Sequence, residues 1–182
     1  MNDHRALTPP LSAEDHVEGL AGAELELVMY GDFQCPYCAA AFPIVKRIRE
    51  QLGPRLIFAF RHFPLREAHP LAEGAAEASE AAAVQGAFWA MHDRLFEARG
   101  PLEVPDLARH ARDLGLDAER VAAELASGIH APRVQRDADG GRAGGITGTP
   151  GFFTNGRLHE GAFDAGALLA ALESSAKPAE RA

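Results

Sequence analysis

The sequence predicts an α/β fold in which a mixed central sheet flanked by helices is interrupted by an inserted all-helical subdomain. Three observations predict it. Two short apolar runs, residues 25–30 and 56–60, bracket a segment with helical spacing, which reads as strand, helix, strand. Residues 66–145 then read as helix throughout, too long for a loop and too helical for a sheet. Finally, Asn155-Gly156 between two strand-like runs is a strong hairpin signal. The division is an extended lead-in over residues 1–22, a core over 23–65 and 146–176, and a helical insertion over 66–145.

The lead-in is polar and contains Pro9, Pro10, Gly19 and Gly22. The run after it carries one charge, Glu26, and ends at Gly31-Asp32, as a buried strand feeding a loop should. From Pro36 the pattern turns helical: Ala39, Phe42, Val45 and Ile48 follow at spacings of three, with Lys46, Arg47, Arg49 and Glu50 on the other face, until Gly53-Pro54. Leu56, Ile57, Phe58, Ala59 and Phe60 form the next strand, which ends before Pro64. A crossover of this kind is almost always right-handed and parallel, so the Cys35 loop and His62 are expected at one sheet edge.

Breaks in the insertion are expected at Gln85-Gly86, Gly100-Pro101 and Gly115. Phe88, Met91, Leu95 and Phe96, with Trp89 beside them, form one apolar stripe and read as core; Leu107, Leu114, Val121 and Leu125 form another. Gly140-Gly141 and Gly144-Gly145 weaken the last helix, each glycine costing about 1 kcal/mol relative to alanine, and are expected to mark a hinge. After the hairpin, a closing helix from Asp164 to about Ser174 turns Leu168, Leu169 and Leu172 inward, and the tail over residues 177–182 is expected to be loose.

A chain of 182 residues with 47% hydrophobic content buries a core without a disulfide staple, and both of its cysteines lie in one motif. The thiols are therefore there for chemistry or for metal. The net charge of −8, with Arg47, Arg49, Arg55, Arg61 and Arg66 scattered, excludes nucleic acid as the expected partner. The N-terminus lacks a basic start followed by an apolar stretch, and no window reaches the roughly 18 apolar residues of a membrane span. No membrane association and a cytoplasmic address are expected, or an extracytoplasmic one if a signal has been removed.

The chemistry centres on Cys35-Pro36-Tyr37-Cys38. Two thiols at this spacing can close a small disulfide ring and reopen it, and proline after the first cysteine suits the first turn of a helix. Cys35 would then sit at a helix N-terminus, where unpaired N–H groups and the dipole favour a thiolate; such sites depress the value to roughly 3.5–7.5 from about 8.5. Cys35 is the candidate nucleophile, and Cys38, one turn on, is placed to attack a mixed disulfide. Zinc is the rival reading, but it would have to recruit His62 and His159 from separate segments, so no metal is expected. His62 reads as a proton donor or charge partner of the thiolate, or as a residue fixing the turn before Pro64. His69 and His92 read as packing or capping residues.

Tyr30-Gly31-Asp32-Phe33-Gln34-Cys35-Pro36-Tyr37-Cys38, then Arg61-His62-Phe63-Pro64-Leu65, then Gln85-Gly86 with Phe88-Trp89 and Met91-His92-Asp93, and lastly Gly148-Thr149-Pro150 with Phe152-Phe153 and Asn155-Gly156, occur in this order. Over residues 14–175 the arrangement resembles the DsbA family of thiol-disulfide oxidoreductases in the thioredoxin superfamily. The resemblance implies a thioredoxin core, Cys35 as an exposed nucleophile, Cys38 as a buried resolving thiol and Pro150 in the cis form. It also implies that Thr149 offers its backbone to a substrate chain, which makes Pro36, Tyr37, Thr149 and Pro150 the substrate-binding residues. The implied partners are protein thiols and disulfides, or glutathione, together with a redox partner that recharges the pair; no cofactor is needed beyond the pair itself.

One departure stands out. Six residues before Cys35, where related proteins often carry a buried carboxylate, this sequence has Met29, and Glu26 lies on the opposite strand face. Asp32 is then either a substitute acting through water or an ordinary Gly-Asp turn residue. Two rival functions remain in view, a glutaredoxin-like glutathione-dependent reductase and a redox-independent peptide-binding or holdase module. A cytosolic address favours reduction or isomerisation, whereas the resemblance implies oxidation.

Overall fold

The protein is described by a computed structural model covering residues 5–98 and 100–174. Among these residues five strands form one mixed sheet in the order β1-β3-β2-β4-β5. They are β1 (His16–Glu18), β2 (Leu25–Gly31), β3 (Leu56–His62), β4 (Gly151–Thr154) and β5 (Arg157–His159). Strands β2 and β3 are parallel and joined through helix α1 (Pro36–Leu52), while β1 on β3, β4 on β2 and β5 on β4 are antiparallel. The thioredoxin-like topology with a helical insertion predicted from the sequence is the one observed. The insertion comprises α2 (Ala72–Val84), α3 (Phe88–Ala98), α4 (Val104–Asp113), α5 (Ala118–Ser127) and α6 (Ala131–Ala143), and α7 (Ala165–Ser174) closes the described chain.

Strand parity divides the core. Leu25, Leu27, Met29, Leu56, Phe58, Phe60 and Phe152 point to one face and pack with α1, α7 and the inserted helices in one apolar cluster. Each such aromatic or aliphatic side chain stabilises the fold by roughly 1.5–3 kcal/mol relative to an exposed one. Val28, Tyr30, Ala59 and Phe153 point to the other face, where Ala138 of α6, Phe63, Leu7 and Ile146 complete a second cluster.

From residue 5 onward the lead-in contributes to the sheet. β1 covers the free edge of β3, Ala6 bridges to Arg157, and Leu7 is buried. The expectation of a hinge at the α6 glycines is overturned by their packing. A Cβ on Gly140 would meet the Thr8 carbonyl oxygen at 2.6 Å, one on Gly141 the Phe63 ring at 2.8 Å and one on Gly144 the Phe153 ring at 2.7 Å. These glycines let α6 approach the sheet closely. The expected breaks in the insertion are present, and a further one separates α5 from α6, where Gly128 caps α5 in the left-handed region at φ +63°. The expected tail over residues 177–182, and the core boundary at 176, lie outside the described residues.

The hairpin forms as the sequence predicts. Asn155 and Gly156 both have positive φ, 50° and 79°, the pattern of a two-residue turn matched to strand twist. Asn155 also accepts a hydrogen bond from the Glu26 amide at 2.7 Å and donates to the Leu172 carbonyl at 2.7 Å, so the turn is tied to β2 and α7.

Candidate active site

Between β2 and α1 the chain turns on Asp32. Its Oδ1 accepts the amides of Gln34 at 2.8 Å and Cys35 at 3.1 Å, an Asx turn that delivers Cys35 as the N-cap of α1 in extended geometry. Pro36 then occupies the first helical position, where its missing N–H costs nothing. The Cys35 Sγ lies 3.4 Å from the carbonyl oxygen of Thr149, and the Thr149–Pro150 peptide that follows is cis. Both cysteines are free thiols.

The resemblance implied an exposed nucleophile, but Cys35 is only 3% exposed and packs in the main apolar cluster with its sulfur against the Thr149 carbonyl. It still borders a cleft of about 400 Å³ formed with Phe33, Pro36, Leu71, Phe96 and Leu102. Pro36 is exposed beside it and Tyr37 is 65% exposed.

The two thiols are electrostatically unequal. A hydrogen bond from the Cys38 thiol leads the causes that lower Cys35 to about 5, helped by Thr149 and by the Cys38 and Tyr37 amides at the helix start, against opposition from burial. Cys38 has no exposure, and burial, then its hydrogen bond and repulsion from Cys35, push it well above the ordinary thiol range. The Asp32 amide donates to Cys38 Sγ at 3.5 Å. At neutral pH the arrangement holds one thiolate and one thiol.

Other predicted residues lie elsewhere. His62 is at the same sheet edge but is fully buried, with Nε2 bonded to Glu80 Oε1 at 2.8 Å and its amide donating to Asp137 Oδ2 at 3.1 Å. It ties β3 to α2 and α6, and neither role read for it, thiolate partner or turn fixer, describes these contacts. Asp32 Oδ2 accepts the Leu65 amide at 2.9 Å and meets His69 Nδ1 at 2.8 Å, so four N–H groups converge on this buried carboxylate. Met29 packs in the apolar cluster that includes both cysteines, and Glu26 sits on the other face of β2.

His69 is the residue that sequence reasoning missed. It lies 37 positions from Asp32, and no local pattern announces the contact. His92 is a core residue, as expected, between Phe60 and Phe96 and bonded to Asp93 at 2.9 Å. His159 is bonded to the Ala162 carbonyl at 2.7 Å, so it does not join His62 as a ligand pair. Among the described residues no group of three or more His, Cys, Asp or Glu side chains is placed to hold a metal ion.

A family model described as thioredoxin matches residues 12–174. The chain belongs to the thioredoxin family. Within it the chain is DsbA-like by structure. It superposes on DsbA2 of Pseudomonas aeruginosa with a TM-score of 0.73 at 27% identity, covering 94% of this chain and 100% of that one. A thioredoxin-like oxidoreductase from Silicibacter pomeroyi gives 0.80 at 24% identity, covering 90% and 93%, and BdbD from Bacillus subtilis gives 0.79 at 22%, covering 87% and 90%. Among curated proteins, this DsbA-like chain is 44% identical over 161 residues to a protein of Salinispora arenicola named Na(+)/H(+) antiporter NhaA 1. It is 42% identical over 174 residues to one of the same name from Mycolicibacterium vanbaalenii. The matches cover 88% and 93% of this chain but 24% and 28% of those proteins, so the chain spans about a quarter of their length. Among its described residues no helix is long and apolar enough to cross a membrane.

Proposed function

We propose that the chain is a thiol-disulfide oxidoreductase that exchanges disulfides with protein dithiols through Cys35 and runs as a disulfide donor. The observation that carries this is the opposed pair of shifts, Cys35 down to about 5 and Cys38 up. Stabilising the thiolate stabilises the reduced pair, which makes the disulfide a stronger oxidant.

In the oxidised form a substrate thiolate attacks Cys35 Sγ, the sulfur that borders the cleft, and the Cys35–Cys38 bond breaks. Cys38 leaves and takes up a proton, which its buried site favours. The second substrate thiolate attacks the substrate sulfur of the mixed disulfide, and Cys35 leaves as a thiolate. Two electrons pass to the pair; of the two protons lost by the substrate dithiol, one stays on Cys38 and one goes to water. The substrate chain runs as an added strand beside Thr149 and Pro150, against the exposed Pro36 and Tyr37. No cofactor enters this scheme. A donor works where thiols are not held reduced, so the proposal favours an oxidising compartment over the cytoplasm expected from the N-terminus.

The test is direct. Cys35→Ser abolishes reduction of insulin disulfides and Cys38→Ser accumulates mixed disulfides; full activity of the Cys35 variant contradicts the proposal. Reduction of glutathione mixed disulfides that survives in Cys38→Ser points instead to the glutaredoxin-like reading. Suppression of aggregation by a variant lacking both cysteines points to a holdase.

The antiporter relatives support a second reading, of the partner: the redox pair acts on, or as part of, a Na(+)/H(+) antiporter. Antiport in vesicles that changes on Cys35→Ser supports it, and unchanged antiport contradicts it.

A further inference from the structure

We infer that His69 is a positioning residue of the redox pair: its ring, bonded to the buried Asp32 carboxylate, holds the turn that meets the Cys35 amide and the Cys38 sulfur, and thereby sets how readily the Cys35 thiolate forms. This rests on the redox reading above.

The Asp32 side chain is fully buried and touches both cysteines through the backbone. Its Oδ1 accepts the Cys35 amide at 3.1 Å, and its own amide donates to Cys38 Sγ at 3.5 Å. A carboxylate here serves the turn, but as an anion it opposes a second negative charge on Cys35. A buried carboxylate is costly unless paired, and His69 supplies the pairing group at 2.8 Å. The imidazole is 18% exposed, so it reaches water while its Nδ1–H stays on Asp32.

The charged groups on surrounding elements are engaged elsewhere. Arg66, in the same loop, pairs with Glu73 of α2 and Gln135 of α6, and Glu67 is exposed. His62 of β3 is bonded to Glu80, and Asp137 of α6 to Arg133. At the start of α1 it is the Cys35 amide and the Cys38 sulfur that lie against Asp32, with Tyr37 turned to solvent. Met29 puts an apolar side chain where the resemblance expects an acid, so the carboxyl group in contact with the pair is that of Asp32.

The test follows the ultraviolet absorbance of the Cys35 thiolate in the reduced protein against pH, together with the glutathione equilibrium. His69→Gln keeps an N–H for Asp32, and His69→Phe removes it. His69→Phe is expected to move the Cys35 midpoint up from about 5 and to lower the glutathione equilibrium constant about three- to tenfold, and His69→Gln to restore both. Superimposable curves for wild type and His69→Phe overturn the inference, as does a His69→Gln curve displaced as far as that of His69→Phe. The titration needs no substrate. Inactivity toward insulin with a displaced His69→Phe curve overturns the redox reading alone, and an undisplaced one with activity retained overturns this inference alone.

Discussion

The Cys35 sulfur lies 3.4 Å from the Thr149 carbonyl oxygen, across 114 positions of sequence and the whole helical insertion. The contact brings the end of β2, the start of α1 and the loop before β4 to one point, where the nucleophile is almost wholly buried.

Thiolate formation at Cys35 depends first on the Cys38 thiol. In Cys38→Ala, titration of Cys35 followed by alkylation rate is expected to move up from about 5 by one unit or more, since a hydrogen bond to an ionised group is worth about 1.5–3 kcal/mol. An unchanged midpoint would assign the shift to the helix start alone.

Stability of the reduced protein follows from the two shifts. Cys35 is lowered in the folded state, so between about pH 5 and the ordinary thiol value of 9.0 the unfolded chain binds more protons and stability rises with pH. Cys38 is raised, so above 9.0 the folded protein retains a proton that the unfolded chain loses, and stability falls. Urea midpoints of the reduced protein are expected to peak near pH 9, whereas the oxidised protein lacks both trends.

Gly141 is a packing residue. Gly141→Ala places a Cβ 2.8 Å from the Phe63 ring and 2.9 Å from that of Tyr30, and is expected to destabilise by about 1–3 kcal/mol in urea unfolding. A hinge at this position would leave stability unchanged or improve it.

Asn155→Ala tests the hairpin. It forces alanine to a φ of 50° and removes the bonds to Glu26 and Leu172, with an expected loss of about 2 kcal/mol and little effect on Cys35 alkylation.

What the sequence disclosed was local or periodic. The strands and α1 followed from apolar runs and spacing, the hairpin from Asn155-Gly156, and the place of Cys35 at the start of α1 from the Cys35-Pro36 pair after a strand. What it hid depended on distant partners. β1 is three residues without a pattern of its own and exists because β3 has an edge to cover. The α6 glycines looked like weakness because the rings of Tyr30, Phe63 and Phe153 that need their space are far away in sequence. His62 was placed at the correct edge, but its partner, Glu80, belongs to the insertion, whose docking no periodicity encodes. For the same reason His69 read as a capping residue while its Nδ1 reaches Asp32.

As proposed, Cys35 and Cys38 form a disulfide donor whose reduced state is stabilised by the Cys35 thiolate. The most direct measurement is the equilibrium of the Cys35–Cys38 couple with glutathione. For a donor the potential is expected nearer about −120 mV than about −270 mV. A value near about −270 mV, or no exchange with glutathione at all, would contradict it.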